Sequence, residues 1–94
     1  MSPTLSVVPL GQVVATPGAL RAFALAEADY LPYLMRHDRG DWGTVSPEDV
    51  RANDEAREAG DRLLSAYRLR DGTKVWIITE ADRSSTCILL PEEY

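Results

Sequence analysis

The chain reads as an α+β domain with its elements in the order β-α-α-α-β-β-β, and three observations predict this. An Asp71-Gly72 pair separates two apolar, β-rich runs, residues 63–69 and 74–79, the strongest short-range sign of a hairpin. Thr16-Pro17 and Ser46-Pro47 each place a capping hydroxyl before a proline, which opens a helix. Gly40 and Gly60 follow helix-like stretches at positions where helices commonly stop. Helical segments come first and the hairpin signals last, so the strands form mainly an antiparallel C-terminal three-stranded meander packed with short helices.

In chain order, residues 1–5 read as a loose tail. Residues 7–14 are apolar and β-branched but interrupted by Pro9 and Gly11, which suits an edge strand. The first helix starts at Pro17 with Thr16 as cap and runs to about Ala26, with Leu20, Phe23 and Ala24 on one face. Asp29 caps a second helix. Pro32 falls in its first turn, where proline is tolerated; Leu31, Leu34 and Met35 form its apolar stripe, and Gly40 ends it. In the third helix Ser46 caps, Pro47 takes the first position, and Glu48 and Asp49 meet the positive helix end. It carries Val50, Ala52, Asn53, Ala56 and Ala59, too few large apolar residues for more than light packing.

The meander follows: residues 63–69, 74–79, a polar bend over 80–85, then 87–91. With Arg70 opposite Thr73, Tyr67 faces Trp76, and Leu63, Tyr67, Leu69, Trp76 and Ile78 share one face. Both faces are partly apolar. The helices are expected to cover one, and the N-terminal strand or a partner to shield part of the other.

Composition narrows the function classes. Ninety-four residues fit one domain. A chain this short buries only roughly 60–65% of the surface its unfolded form exposes, which favours a surface site over a large enclosed cavity. The single cysteine, Cys87, excludes an intramolecular disulfide and a multi-cysteine zinc site, and reads as a structural thiol in an apolar strand. Without a disulfide, a signal-peptide pattern or a long apolar run, a cytoplasmic protein without membrane association is expected. A net charge of −5, from 15 acidic and 10 basic residues, argues against direct nucleic-acid binding. Six scattered glycines build no phosphate-cradling loop.

The densest polar patch is residues 37–43. His37, Asp38 and Asp41 are side chains of the kind used by metal sites and general acid–base pairs. The chain has one histidine, so no His-Glu-x-x-His pattern exists. The structural reading places His37 at a helix C-terminus, gives Gly40 a left-handed cap, and sends Trp42 into the core. Asn53 is expected to bond the backbone of residues 40–43 and organise that loop. In the bend, Glu80, Asp82 and Arg83 form a recognition surface, with Asp82 bonding backbone N–H groups and Arg83 reaching a carboxylate. No nucleophile elbow accompanies Ser84 and Ser85, so no catalytic residue, metal or cofactor is assigned.

Taken together, His37-x-x-Gly40-Asp41-Trp42-Gly43, Asn53-Asp54, the run from Arg62 to Tyr67, the run from Asp71 through Ile78-Thr79-Glu80-Ala81-Asp82-Arg83-Ser84, and the ending Leu89-Leu90-Pro91-Glu92-Glu93-Tyr94 resemble a family of short, mostly uncharacterised bacterial proteins of plasmids, phages and other mobile elements. The resemblance spans residues 10–94. It implies a context, mobile DNA, in which small acidic proteins bind host proteins, including as inhibitors of restriction or CRISPR systems. It brings no reaction. The expected function is thus a non-catalytic module binding a host protein through His37, Asp38, Asp41, Trp42, Asn53, Glu80, Asp82 and Arg83, with a homodimer compatible. The alternative is a small metal-dependent hydrolase or nuclease built on the loop from His37 to Asp41.

Overall fold

Three proline-initiated helices and four strands fold as their local signals direct in the computed structural model, which describes residues 9–94. Strand β1 is Gln12–Ala15; the expected tail and the first residues of the expected N-terminal strand lie outside the described residues. Helix α1 is Pro17–Leu25, with the Thr16 hydroxyl accepting from the Ala19 amide at 3.0 Å. Helix α2 is Leu31–Asp38, and the Asp29 carboxylate accepts from the Leu31 amide at 3.0 Å. Helix α3 is Pro47–Ala59, capped by Ser46 at one end and closed by left-handed Gly60 at the other. Strands β2 (Leu63–Arg68), β3 (Lys74–Thr79) and β4 (Ser85–Leu89) follow, then a 3-10 turn over Pro91–Glu93.

The sheet order is β1-β4-β3-β2, antiparallel except that β1 runs parallel to β4. Strand β1 therefore extends one edge rather than shielding the second face. The helices cover one face only. Leu63, Ser65 and Tyr67 of β2, Val75, Ile77 and Thr79 of β3, and Thr86 and Ile88 of β4 point to them and are buried.

This corrects the expected hairpin register by one residue. Tyr67 pairs with Val75, not Trp76, so Trp76 and Ile78 take the opposite face. The cause is the loop. The Leu69 amide bonds the Thr73 carbonyl, the Gly72 amide bonds the Leu69 carbonyl, and Gly72 holds φ 91°. That is a three-residue loop ending in a left-handed glycine, and one extra residue moves every following side chain across the sheet.

Helix faces are corrected likewise. In α1 the buried residues are Ala19, Ala22 and Phe23, followed by Ala26, while Leu20 is 48% exposed and Ala24 faces solvent. In α2 they are Leu34 and His37, with Leu31 and Met35 about half exposed. Small residues line α1 because it lies close to the sheet, and the aromatic set Phe23, Tyr33 and Tyr67 fills the space between, with successive ring centroids 5.7 and 5.4 Å apart. A second cluster of Trp42, Ala56 and Leu63 lies under α3.

Candidate functional site

His37 occupies the last turn of α2, and the helical period that buries Leu34 also turns His37 onto the sheet. Its side chain is fully buried. Nδ1 lies 2.6 Å from the Ser65 hydroxyl and Nε2 lies 2.8 Å from that of Thr79. Thr79 in turn meets Thr86 at 2.8 Å, and Thr86 donates to the Leu10 carbonyl at 2.7 Å.

The directions of these bonds follow from the far end, because a carbonyl only accepts. Thr86 spends its proton on Leu10, so Thr79 donates to Thr86. The Thr79 oxygen then accepts from Nε2–H of His37, which leaves Nδ1 as acceptor for the Ser65 hydroxyl. One tautomer, neutral with the proton on Nε2, satisfies every member. Burial, and secondarily the positive charge of Arg83, lowers the His37 pKa from 6.5 to about 4. The ring has no lone pair free for a cation or a substrate proton.

The rest of the loop is held by hydrogen bonds at several points. Asp41 is exposed, and its carboxylate takes the Arg36 guanidinium at 2.8 and 3.4 Å and the Gly43 amide at 3.3 Å, which holds its pKa below the usual range. The Tyr67 hydroxyl donates to the Asp41 carbonyl at 2.6 Å, while the Arg36 guanidinium lies 4.7 Å above the Tyr67 ring. Asp38 is half-buried, and that burial raises its pKa against the pull of Arg39 and Arg57. Trp42 enters the core, as expected, at 2% exposure; its indole N–H donates to Asp54 at 3.0 Å and its ring meets His37 edge-on at 5.6 Å.

Gly43 forms a parallel bridge with Ala66. At φ 79°, a Cβ there would lie 1.9 Å from the Ala66 carbonyl oxygen. Only glycine lets the loop approach β2 this closely.

Asn53 does not organise residues 40–43. Its amide instead pairs with both backbone groups of Leu64, donating to the carbonyl at 2.8 Å and accepting from the N–H at 3.2 Å. With the Trp42 carbonyl and the Thr44 amide taking the two groups of Ala66, the outer edge of β2 is occupied at Leu64 and Ala66, two of its three outward positions.

Arg83 reaches carbonyls, not a carboxylate. It bonds those of Asp61 at 2.7 Å and Glu80 at 3.1 Å through one nitrogen and that of Ala56 at 3.2 Å through the other. It thus ties the β3–β4 bend to the C-terminal end of α3, where the Ala56 carbonyl also accepts from the Gly60 and Asp61 amides. This holds Arg83 at φ 61°, a conformation that non-glycine residues rarely adopt. Asp82 accepts from the Ser84 amide at 2.9 Å, as expected of a turn aspartate. Glu80 and Asp82 remain exposed, Glu80 3.8 Å from Arg62.

The eight expected residues therefore divide. His37, Trp42, Asn53 and Arg83 hold the fold together, Asp38 is half-buried at the end of α2, and Asp41, Glu80 and Asp82 present carboxylates to solvent. Asp41 flanks β2, and Glu80 and Asp82 sit in the bend at the end of α3, so the structure does not gather them into one pocket. Among the described residues, no group of three or more His, Cys, Asp or Glu is arranged to hold a metal ion. Sequence reasoning missed Ser65, Thr79 and Thr86. Their signal was a hydroxyl at an inward position in each of three apolar strands, together with one histidine that could satisfy them.

A shallow depression of about 350 Å³ lies beside α2, lined by Ala28, Asp29, Pro32, Tyr33, Arg36 and Arg70. No helix among the described residues is long and apolar enough to cross a membrane. Compared with known proteins, the chain matches no family model, no curated protein and no solved structure.

Proposed function

We propose that this is a non-catalytic protein-binding module of mobile-element origin that engages a host protein, in its sharpest form an inhibitor of a restriction or CRISPR complex. The observation that carries this reading is the state of His37. The alternative, a metal-dependent hydrolase or nuclease, depends on the one imidazole, and both its ring nitrogens are spent inside the core. What remains at the surface is recognition chemistry: the carboxylates of Asp41, Glu80 and Asp82, held on turns anchored to a rigid sheet. Such groups complement a basic nucleic-acid-binding surface on a partner and speed encounter with it. The mobile-element context rests on the resemblance of the His37–Gly43 and Asp71–Ser84 stretches.

The test is capture of host proteins on the immobilised chain, followed by identification and a cleavage assay with the recovered partner. A partner retained by the native chain and lost with Asp41→Lys or Glu80→Lys, together with inhibited cleavage, is the expected result. A thermal shift of several degrees with manganese or zinc, abolished by His37→Ala, would instead support the hydrolase.

A further inference from the structure

The two edges of the sheet are treated differently. On β2, Asn53, Trp42 and Thr44 occupy the outward backbone groups of Leu64 and Ala66. On β1, the Gln12 and Thr16 amides bond the Ser84 and Ile88 carbonyls, so residues 12, 14 and 16 face β4. The N–H and C=O groups of Val13 and Ala15 then point away from the sheet, and among the described residues nothing pairs with them. Val13 is 41% exposed and Val14 44%. Natural sheets guard such an edge with charge, a bulge or a covering segment. Here charge is missing: no Asp, Glu, Lys or Arg precedes Arg21, although the chain as a whole carries −5.

We infer that β1 pairs antiparallel with β1 of a second copy of this chain, across a two-fold axis at Val14, to make a continuous eight-stranded sheet. This goes beyond the proposed binding of a host protein and stands independently of it. The register is dictated by which groups are free. Centring on Val14 sets Val13 opposite Ala15 of the copy and Ala15 opposite its Val13, so the free groups exchange four backbone hydrogen bonds. Val14 then faces its own mate in a non-hydrogen-bonded pair, the closest cross-strand contact.

Both ends of the ladder close without conflict. Gly11, at φ 64°, falls opposite Pro17, which has no N–H to donate. Strand register already aligns Leu64, Ile78, Cys87 and Val14 in one row across the face the helices leave open. The axis continues that row into the copy. The uncharged segment lets two molecules of like net charge approach at this edge without repulsion.

A single short strand pair buries less than the roughly 1,200–2,000 Å² of a standard interface, so the association is weak and concentration-dependent. Sedimentation equilibrium of the full chain from about 10 μM to about 1 mM reads it. The expected result is a monomer–dimer equilibrium that Val14→Lys and Val14→Glu each weaken at least about tenfold through like charges placed opposite each other. An equimolar mixture of the two variants restores dimer. Val13→Pro, which removes an outward N–H and leaves the bonds to β4 intact, also weakens it, with thermal unfolding confirming that each variant is folded. A native chain that is monomeric throughout, leaving the edge for an unlike strand, overturns the inference. So does a dimer indifferent to Val14→Lys, or a mixture that fails to restore association.

Discussion

Mild acid should destabilise this protein through one residue. The folded His37 has its pKa lowered from 6.5 to about 4, so between these values the unfolded chain binds a proton that the folded chain refuses. Stability therefore rises with pH across this window: the His37 contribution is complete above pH 6.5 and is lost as pH falls toward 4. At 1.36 kcal/mol per unit, the loss is about 2 kcal/mol by pH 5 and about 3 kcal/mol by pH 4.

Other groups act lower. Asp41, Asp71, Asp82 and Glu93 have pKa values held below 3.8 or 4.5, so the stability they add disappears only beneath those values, and the raised Asp38 opposes them. Urea unfolding at steps from pH 7.5 to pH 5 thus isolates the histidine. The variant to compare is His37→Gln, whose amide oxygen can accept from Ser65 and whose NH₂ can donate to Thr79. The native chain should lose about 2 kcal/mol over that range and the glutamine variant much less. A native curve flat above pH 5, or the same slope in both proteins, would refute the neutral state of His37 and the burial argument behind it.

Three further outcomes test the packing. Trp42→Ala, by emptying a 2%-exposed site and stranding Asp54, should cost about 3–5 kcal/mol in chemical denaturation. Gly43→Ala should cost at least about 3 kcal/mol, because strain adds to the collision with Ala66, whereas Gly60→Ala, with φ 82° and open space around it, should cost only about 1–2 kcal/mol. Asn53→Ala should cost about 1–3 kcal/mol and promote aggregation measured by light scattering, since it leaves both groups of Leu64 unpaired on an opened edge.

Much of the fold was legible locally. Helix starts at Thr16 and Ser46 and the stop at Gly60 were read correctly because a cap is decided within about four residues. The order of elements and the helix-to-strand division followed from the same local signals. Hairpin register was not legible: Asp71-Gly72 announces a turn, but whether two or three residues form it depends on how Tyr67 and Val75 pack against the helices. The buried faces of α1 and α2 were misread because apolar residues occur on both sides of each helix, and proximity to the sheet selected Ala19, Ala22 and His37 over Leu20 and Met35.

The candidate site divides along the same line. Sequence alone identified a loop in which Gly40, Trp42 and Gly43 have structural jobs, and the turn role of Asp82. The destinations of long side chains were set elsewhere. Asn53 turned to the edge of β2, Arg83 to the end of α3, and His37 to the hydroxyls of Ser65 and Thr79 on two strands, the second backed by Thr86 of a third. Caps and turns close over a few bonds of one segment, so neighbouring residues are enough to specify them. A buried imidazole must be satisfied by groups 28 and 42 residues away, and only the assembled sheet decides which those are.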